Sequence, residues 1–145
     1  MSLPDPFLQR EFYAYVPLKR AVAWGVDTVI TLVLAVVALL FTLFVGALFF
    51  PVLFAAVSIA YRGVMLARYG ATVGMMLSAI KLRHLDGRPV DQGTAFAYAG
   101  LHALIMTFIL PQIASIAMIL TTPYRQGLHD MLLGTTMLNA EAPED

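Results

Sequence analysis

The sequence has no cysteine, few charged residues and no charge excess of either sign. The lack of cysteine excludes disulfides, thiolate chemistry and metal sites built on cysteine. Charged residues make up 12% of the chain, about half the roughly 25% of a soluble domain, which is too few to cover a water-facing surface. Because the formal net charge is zero, no electrostatic feature favours a nucleic-acid partner.

Catalytic and cofactor-binding motifs are missing as well. The chain contains no Gly-x-Ser-x-Gly, no phosphate-binding loop and no dinucleotide fingerprint. Its three histidines, His84, His102 and His129, do not follow a metal-ligand spacing such as His-Glu-x-x-His. We therefore expect a protein that is not an enzyme and that uses no cofactor and no metal.

Long hydrophobic runs are the main feature of the sequence. Between Ala21 and Tyr61 the only charged side chain is Asp27, and this run is long enough for roughly 60 Å of helix, or two crossings of a hydrocarbon core about 30 Å thick. A second run, from Gln92 to Tyr124, has no Lys, Arg, Asp or Glu and corresponds to about 50 Å of helix. The sequence therefore predicts a protein embedded in a lipid bilayer.

The expected fold is all-α, a polytopic transmembrane helical bundle with three to four membrane segments. Helix 1 is predicted over about 19–44 and helix 2 over about 51–69, with a break at Gly46 to Pro51 because proline disrupts a helix interior but fits a first turn. The last apolar run, about 93–122, has Pro111 at its centre. It is either one kinked helix, giving three crossings, or a hairpin, giving four, and we favour the hairpin.

The segment 70–92 separates the two apolar runs and is more polar. Its apolar residues from Met75 to Leu82, with Lys81 and Arg83 among them, are typical of a short amphipathic helix in the lipid headgroup region. We place the membrane domain at 19–139, between an N-terminal tail (1–18) and a C-terminal tail (140–145).

Positive charge is distributed unevenly around the helices. The 45–51 turn has no Lys or Arg, whereas basic residues lie before or at the start of helix 1, in the second half of helix 2 and in the segment after it: Arg10, Lys19, Arg20, Arg62, Arg68, Lys81, Arg83 and Arg88. The positive-inside rule then predicts a cytoplasmic N-terminus and a cytoplasmic central segment. The expected location is the bacterial inner membrane, with several crossings.

Asp27 is the principal candidate functional residue, because an ionisable group inside the bilayer needs a partner, water or a proton. It follows Arg20 by about two helical turns, so the two residues share one face of helix 1. Asp27 is either an ion or proton site or half of a buried pair with Arg20, Arg62 or another polar group, and we favour the pair. For Arg62 we expect a side chain that extends to the cytoplasmic interface, and for His102 a buried, hydrogen-bonded ring rather than a proton relay.

Three sequence pieces in order resemble the RDD family of small membrane proteins, which is named for one arginine and two aspartates. They are Lys19-Arg20-Ala21 with Asp27, the segment from Gly70 to Met75 with Asp86-Gly-Arg-Pro, and Arg125-Gln-Gly-Leu-His-Asp130 with Gly134-Thr135. The resemblance covers about Phe12 to Asn139, and it implies that Arg20, Asp27 and Asp130 form the family's polar cluster. Tyr124 and Met131 depart from it, at positions where lysine or arginine is common.

Two functions remain open at this point. In the first, which we favour, the chain is a non-catalytic accessory or assembly subunit of a larger membrane complex, partnered by other membrane subunits or by copies of itself. Small residues such as Ala97, Gly100 and Ala103 would let a neighbouring helix approach closely. In the second, which the resemblance implies for some family members, the chain exchanges cations for protons at Asp27. Arg62, His102 and His129 are secondary candidates in either case.

Overall fold

The computed structural model describes residues 3–140, and the predicted C-terminal tail lies outside the described residues except for Ala140. Within 3–140 the chain forms six α-helices and two β-strands. In chain order these are α1 Val16–Phe41, α2 Phe50–Tyr69, α3 Val73–Leu77, β1 Ile80–His84, α4 Gln92–Thr107, α5 Ile109–Thr121, α6 Leu128–Leu133 and β2 Thr135–Asn139. The mostly helical architecture agrees with the prediction.

The first two helices are the apolar pair expected from the sequence. A short 3₁₀ helix, Val45–Phe49, joins them. Pro51 lies in the first turn of α2, where a backbone N–H makes no hydrogen bond within the helix, so proline is tolerated there. Within the described residues, two segments are long and apolar enough to cross a membrane, Arg10–Phe41 and Val45–Tyr69. Both have most of their surface outside the protein core.

The second apolar run is broken and does not form one helix. The axes of α4 and α5 turn by 117° at Phe108, three residues before the proline that we expected at the break, and Pro111 instead lies in the first turn of α5. Because Pro111 lacks the N–H that an interior position needs, a first turn suits it. The pair is a broken span or a re-entrant loop, so the described residues contain two candidate spans, or three if this pair is one.

The all-α prediction was wrong in one respect, because β1 and β2 pair as a two-stranded antiparallel sheet. The register joins Ile80 to Asn139 and His84 to Thr135. The expected amphipathic helix is therefore reduced to α3, whereas Lys81 and Arg83 lie on a strand. Ala79 has a positive φ of 54°, which ends the helical turn and lets the chain extend. Apolar and basic residues alternate in this strand, and the prediction mistook that pattern for one face of a helix.

The hydrophobic core lies at one end of the bundle, where α1 begins, α2 ends and α4 begins. α2 packs against α4, and α1 packs against α3. The buried core joins residues of these helices to the sheet: Val16, Ala23, Leu66, Ala71, Met75, Ile80, Leu82, Val90, Ala95, Tyr98 and Met137. The N-terminal segment packs against the same end, since Asn139 donates to the carbonyl of Glu11 and Lys19 donates to Asn139.

Candidate functional site

Asp27 is fully buried and accepts hydrogen bonds from three neighbouring segments. Its Oδ1 accepts from the Tyr61 hydroxyl at 2.8 Å and from the Gly74 backbone N–H at 2.9 Å. Its Oδ2 accepts from the Thr72 hydroxyl at 2.5 Å and lies 3.5 Å from Nη1 of Arg62. A carboxylate has about four acceptor positions, so Asp27 is saturated by groups that join α1 to α2 and α3.

The chain reaches Asp27 through a tight turn after α2. Gly70 ends that helix in the left-handed region, at a φ of 66°, where glycine is free of steric cost. Thr72 then caps α3, accepting from the Met75 N–H while donating to Asp27. At Gly74 a Cβ would collide with the carbonyl oxygen of Ala23 and the Asp27 carboxylate. Only glycine therefore allows the α3 backbone to approach α1 closely enough to donate to Asp27.

Asp130 forms a second, separate ion pair. Its Oδ2 lies 2.8 Å from Nη1 of Arg20 and accepts from the Gly127 N–H at 2.9 Å, and its Oδ1 accepts from the Thr135 hydroxyl at 3.2 Å. The bond to Gly127 caps the start of α6, since an acidic side chain in the first turn compensates unpaired N–H groups. Asp130 is fully buried and joins α6 and β2 to α1.

Arg20 also donates to groups other than Asp130. Its Nη1 donates to the Arg125 carbonyl at 3.1 Å, and its Nη2 donates to the Tyr98 hydroxyl at 3.3 Å. The planar guanidinium presents several donors in fixed directions. One arginine therefore links α1 to α4, α6 and the segment that precedes α6.

An aromatic and histidine group lies next to this second pair. The Tyr98 hydroxyl is 2.7 Å from Nε2 of His129, and the two ring centroids are 4.5 Å apart. The His102 ring lies edge-on to His129, at a centroid distance of 5.7 Å. Burial lowers the pKa of His129 to about 4 because desolvation disfavours the charged ring. His129 is therefore neutral near pH 7.

A cavity of about 280 Å³ lies between the two ion pairs. Its polar lining groups come from five helices: Arg20, Asp27, Arg62, Tyr98, His102, Gln112, Ser115 and His129. Its apolar wall comes mostly from α1, α4 and α5: Trp24, Met106, Ile116, Ile119 and Leu120. The candidate site is thus a partly open cavity lined by both ionic and apolar side chains.

The structure divides the predicted polar cluster into two pairs, Arg20 with Asp130 and Asp27 with Arg62. The Arg62 side chain, expected to extend to the interface, is instead buried and faces Asp27. His102 and His129 line the same cavity. In the described part of the chain, no group of three or more His, Asp or Glu residues is placed to hold a metal ion.

Sequence reasoning did not identify three polar partners, Tyr61, Thr72 and Tyr98. Tyr61 ends the first apolar run and directly precedes Arg62, and its hydroxyl reaches Asp27. Thr72 carried a usable signal, because threonine is a favoured residue at a helix N-cap and Thr72 caps α3. Tyr98 carried none, since its partners Arg20 and His129 lie on other helices.

Comparison with known proteins gives one match. A protein-family model described as the RDD family matches residues 16–134, which include both ion pairs and most of the residues that line the cavity. No curated protein matches the chain, and no solved structure does. The family match, together with the apolar helices α1 and α2, identifies a small membrane protein.

Proposed function

The chain belongs to the RDD family, and on that basis we propose that it is a non-catalytic accessory or assembly subunit of a larger membrane complex. The proposal places it in the bacterial inner membrane with a cytoplasmic N-terminus. The distribution of Lys and Arg supports this orientation, because the turn between α1 and α2 has none.

The observation that carries the proposal is that both buried aspartates are ion-paired and hydrogen-bonded to neighbouring elements, and that Asp27 is saturated. A transported cation needs carboxylate oxygens that exchange partners during the cycle. Each oxygen of Asp27 already has two partners, and they come from α2 and from the backbone and side chains around α3. Releasing them for a cation would disconnect α1 from α3. Asp27 and Asp130 are therefore better suited to hold helices together than to bind an ion reversibly.

The outer surface supports a role within an assembly. In each of the two candidate spans, 17% of the most apolar window is buried inside the protein, so most of this surface faces lipid or other proteins. At Gly25 and Gly100 a Cβ would meet no atom within 4 Å, so these glycines leave open, shallow places on α1 and α4. Small residues on a membrane helix let a second helix approach closely.

Site-specific photo-crosslinking in native membranes tests the proposal. A photoreactive residue would replace, one at a time, five exposed valines of α1 and α2: Val29, Val36, Val37, Val52 and Val64. We expect one recurring protein adduct from the positions that share a face and lipid adducts from the others, so the valines act as matched controls for each other. Lipid adducts at every position would contradict an accessory role.

Cation/proton antiport through Asp27 is the alternative function. One observation favours it: Asp27 and His102 both line the cavity. Two ionisable side chains therefore lie along the same space. Antiport requires an ion flux across the membrane that the accessory role does not predict, so a flux measurement in liposomes separates the two functions.

A further inference from the structure

Two polar side chains on the cavity wall have open hydrogen-bonding groups. His102, on α4, contacts the His129 ring edge-on but makes no hydrogen bond to any residue within 3–140. Gln112, on α5, makes one weak contact there, from its amide nitrogen to the Met106 sulfur at 3.5 Å, and its amide oxygen accepts nothing. Unlike the unpaired Nε of Arg62, these groups are not sealed from the cavity that both residues line, so a ligand can reach them.

The charge of the lining groups favours a neutral ligand. A neutral imidazole has one donor and one acceptor, and a glutamine amide has both kinds of group as well. The charged groups are already used, because Arg20 pairs with Asp130 and Arg62 pairs with Asp27. The two ion pairs add no net charge. The ligand that fits is therefore neutral and carries hydroxyl or carbonyl oxygens rather than a phosphate.

The apolar part of the lining continues to the outer surface of the protein. Trp24, Ile116 and Leu120 line the cavity and are also about half exposed on the apolar helices α1 and α5. An apolar cavity of about 150 Å³ binds a hydrocarbon ring rather than water, and this cavity measures about 280 Å³. It therefore has room for part of a hydrocarbon chain that enters from the bilayer.

A helix of a partner protein is too large for this cavity. One helical turn, about 10 Å across and about 5.4 Å high, occupies roughly 400 Å³, which is more than the cavity's volume of about 280 Å³. An acyl chain is narrower and flexible, and lipid is the material that surrounds α1 and α5 in a membrane. A neutral lipid therefore fits the volume, the apolar lining and the two open polar groups.

We propose that this cavity binds a neutral lipid of the diacylglycerol type, with its oxygens at His102 and Gln112 and an acyl chain along Trp24, Ile116 and Leu120. Diacylglycerol has a hydroxyl group that donates and ester carbonyls that accept, so it satisfies both kinds of open group. The site is independent of the accessory role and of cation exchange, since neither function requires a bound lipid.

Trp24 fluorescence reports occupancy directly, because Trp24 is the only tryptophan of the chain and lines the cavity. Diacylglycerol with brominated acyl chains is titrated into the full chain in mild detergent. We expect saturable quenching, since bromine quenches only at close range, and recovery of the fluorescence when unbrominated diacylglycerol is added. Quenching that rises in proportion to the lipid without saturating would overturn the site.

Two competitors test the chemistry of the ligand. Phosphatidylglycerol with the same acyl chains adds a charged phosphate, and hexadecane has no oxygen at all. At equal concentration we expect neither to restore the fluorescence as diacylglycerol does. Equal recovery with phosphatidylglycerol would overturn the preference for a neutral lipid, and equal recovery with hexadecane would overturn the contacts to His102 and Gln112.

Two variants, each with a matched control, locate the bound lipid. Gln112→Leu keeps the size of the side chain but removes the amide, so we expect about tenfold weaker diacylglycerol binding. Thr107→Val, which removes an exposed hydroxyl near the same bend but outside the cavity, should bind like the wild type. Ala21→Phe, at an exposed position that lines the cavity, should weaken binding by filling space, whereas Ala56→Phe, exposed on α2 and away from the cavity, should not.

The two variants fail in distinguishable ways. Wild-type affinity in Gln112→Leu would overturn the polar contact, because an amide that binds the lipid oxygens cannot be removed without loss. Wild-type affinity in Ala21→Phe, in a protein that melts cooperatively, would overturn the cavity as the binding site.

Discussion

At the scale of single residues, Asp27 and Asp130 are the positions where the loss of a partner should reduce the stability most. Each is fully buried and paired with an arginine, and each also accepts from backbone and hydroxyl donors. An uncompensated charge is expensive in such surroundings, whereas a paired and hydrogen-bonded one is tolerated. The two aspartates that the family resemblance identified are therefore residues whose replacement should destabilise the folded protein strongly.

Asp27→Ala should lower stability in detergent by about 3–5 kcal/mol, because Arg62 is left buried without its counter-ion. Tyr61, Thr72 and the Gly74 N–H lose an acceptor in the same variant. Asp27→Asn should be milder, since an amide keeps the shape and part of the hydrogen bonding. Thermal melts with Asp86→Asn as an exposed control measure the difference. A wild-type melting temperature for Asp27→Ala would show that the pairing does not stabilise the fold.

Stability should also fall as the pH is lowered from about 6.5 towards 4, because of His129. Burial lowers its pKa to about 4 in the folded protein, whereas an unfolded histidine titrates near 6.5. The unfolded chain then binds more protons in this window, so acid favours unfolding, on the order of 3 kcal/mol in full. Melting temperatures across this range should decline less steeply for His129→Gln. Parallel declines for both proteins would contradict the prediction.

At the scale of elements, the helices were predictable and the sheet was not. Long apolar runs with proline at a boundary predict α1 and α2 from local sequence alone. β1 is short and lies in the middle of the chain, and its partner β2 comes three helices later, so no local pattern reveals the pairing. The bend at Phe108 was misplaced to Pro111 for a related reason, since proline is compatible with a first turn as well as with a break.

The candidate site was likewise only partly predictable from the sequence. Asp27 was found from the sequence because a charge in apolar surroundings stands out, whereas Asp130 was identified only through the resemblance to the RDD family. Which arginine pairs with which aspartate was not predictable, since that depends on the Gly70 turn and on the packing of α6 against α4. Both are properties of the folded chain.

The approach of α3 to α1 gives a test at this scale. Gly74→Ala should destabilise the protein by about 1–3 kcal/mol, because the added methyl group meets the Ala23 carbonyl and the Asp27 carboxylate. Gly100→Ala is the matched control, since its methyl group meets nothing within 4 Å. In a helix that change stabilises by up to about 1 kcal/mol. Similar melting temperatures for the two variants would contradict the close contact.

At the scale of the whole molecule, both described ends of the chain lie at the same end of the bundle. Asn139 contacts Glu11 and Lys19, and β2 pairs with β1, which belongs to the predicted cytoplasmic segment. With α4 and α5 folded back by 117°, this arrangement favours a C-terminus on the same side of the membrane as the N-terminus.

Cysteine labelling tests that topology in a chain with no native cysteine. An impermeant maleimide added to intact cells should label Leu48→Cys, in the turn between α1 and α2. It should leave Leu8→Cys and Glu144→Cys unlabelled until the cells are permeabilised. Labelling of Glu144→Cys in intact cells would require an odd number of crossings and would contradict a C-terminus on the same side as the N-terminus.

The central claim is that the two ion pairs hold the helices together and carry no ion. Ion flux tests this claim most directly, in liposomes that contain a pH-sensitive dye and folded protein inserted in both orientations. After pulses of sodium, lithium or potassium, the account predicts no dye response above that of empty liposomes. A saturable response that disappears in Asp27→Asn would contradict the account and establish cation/proton exchange at Asp27.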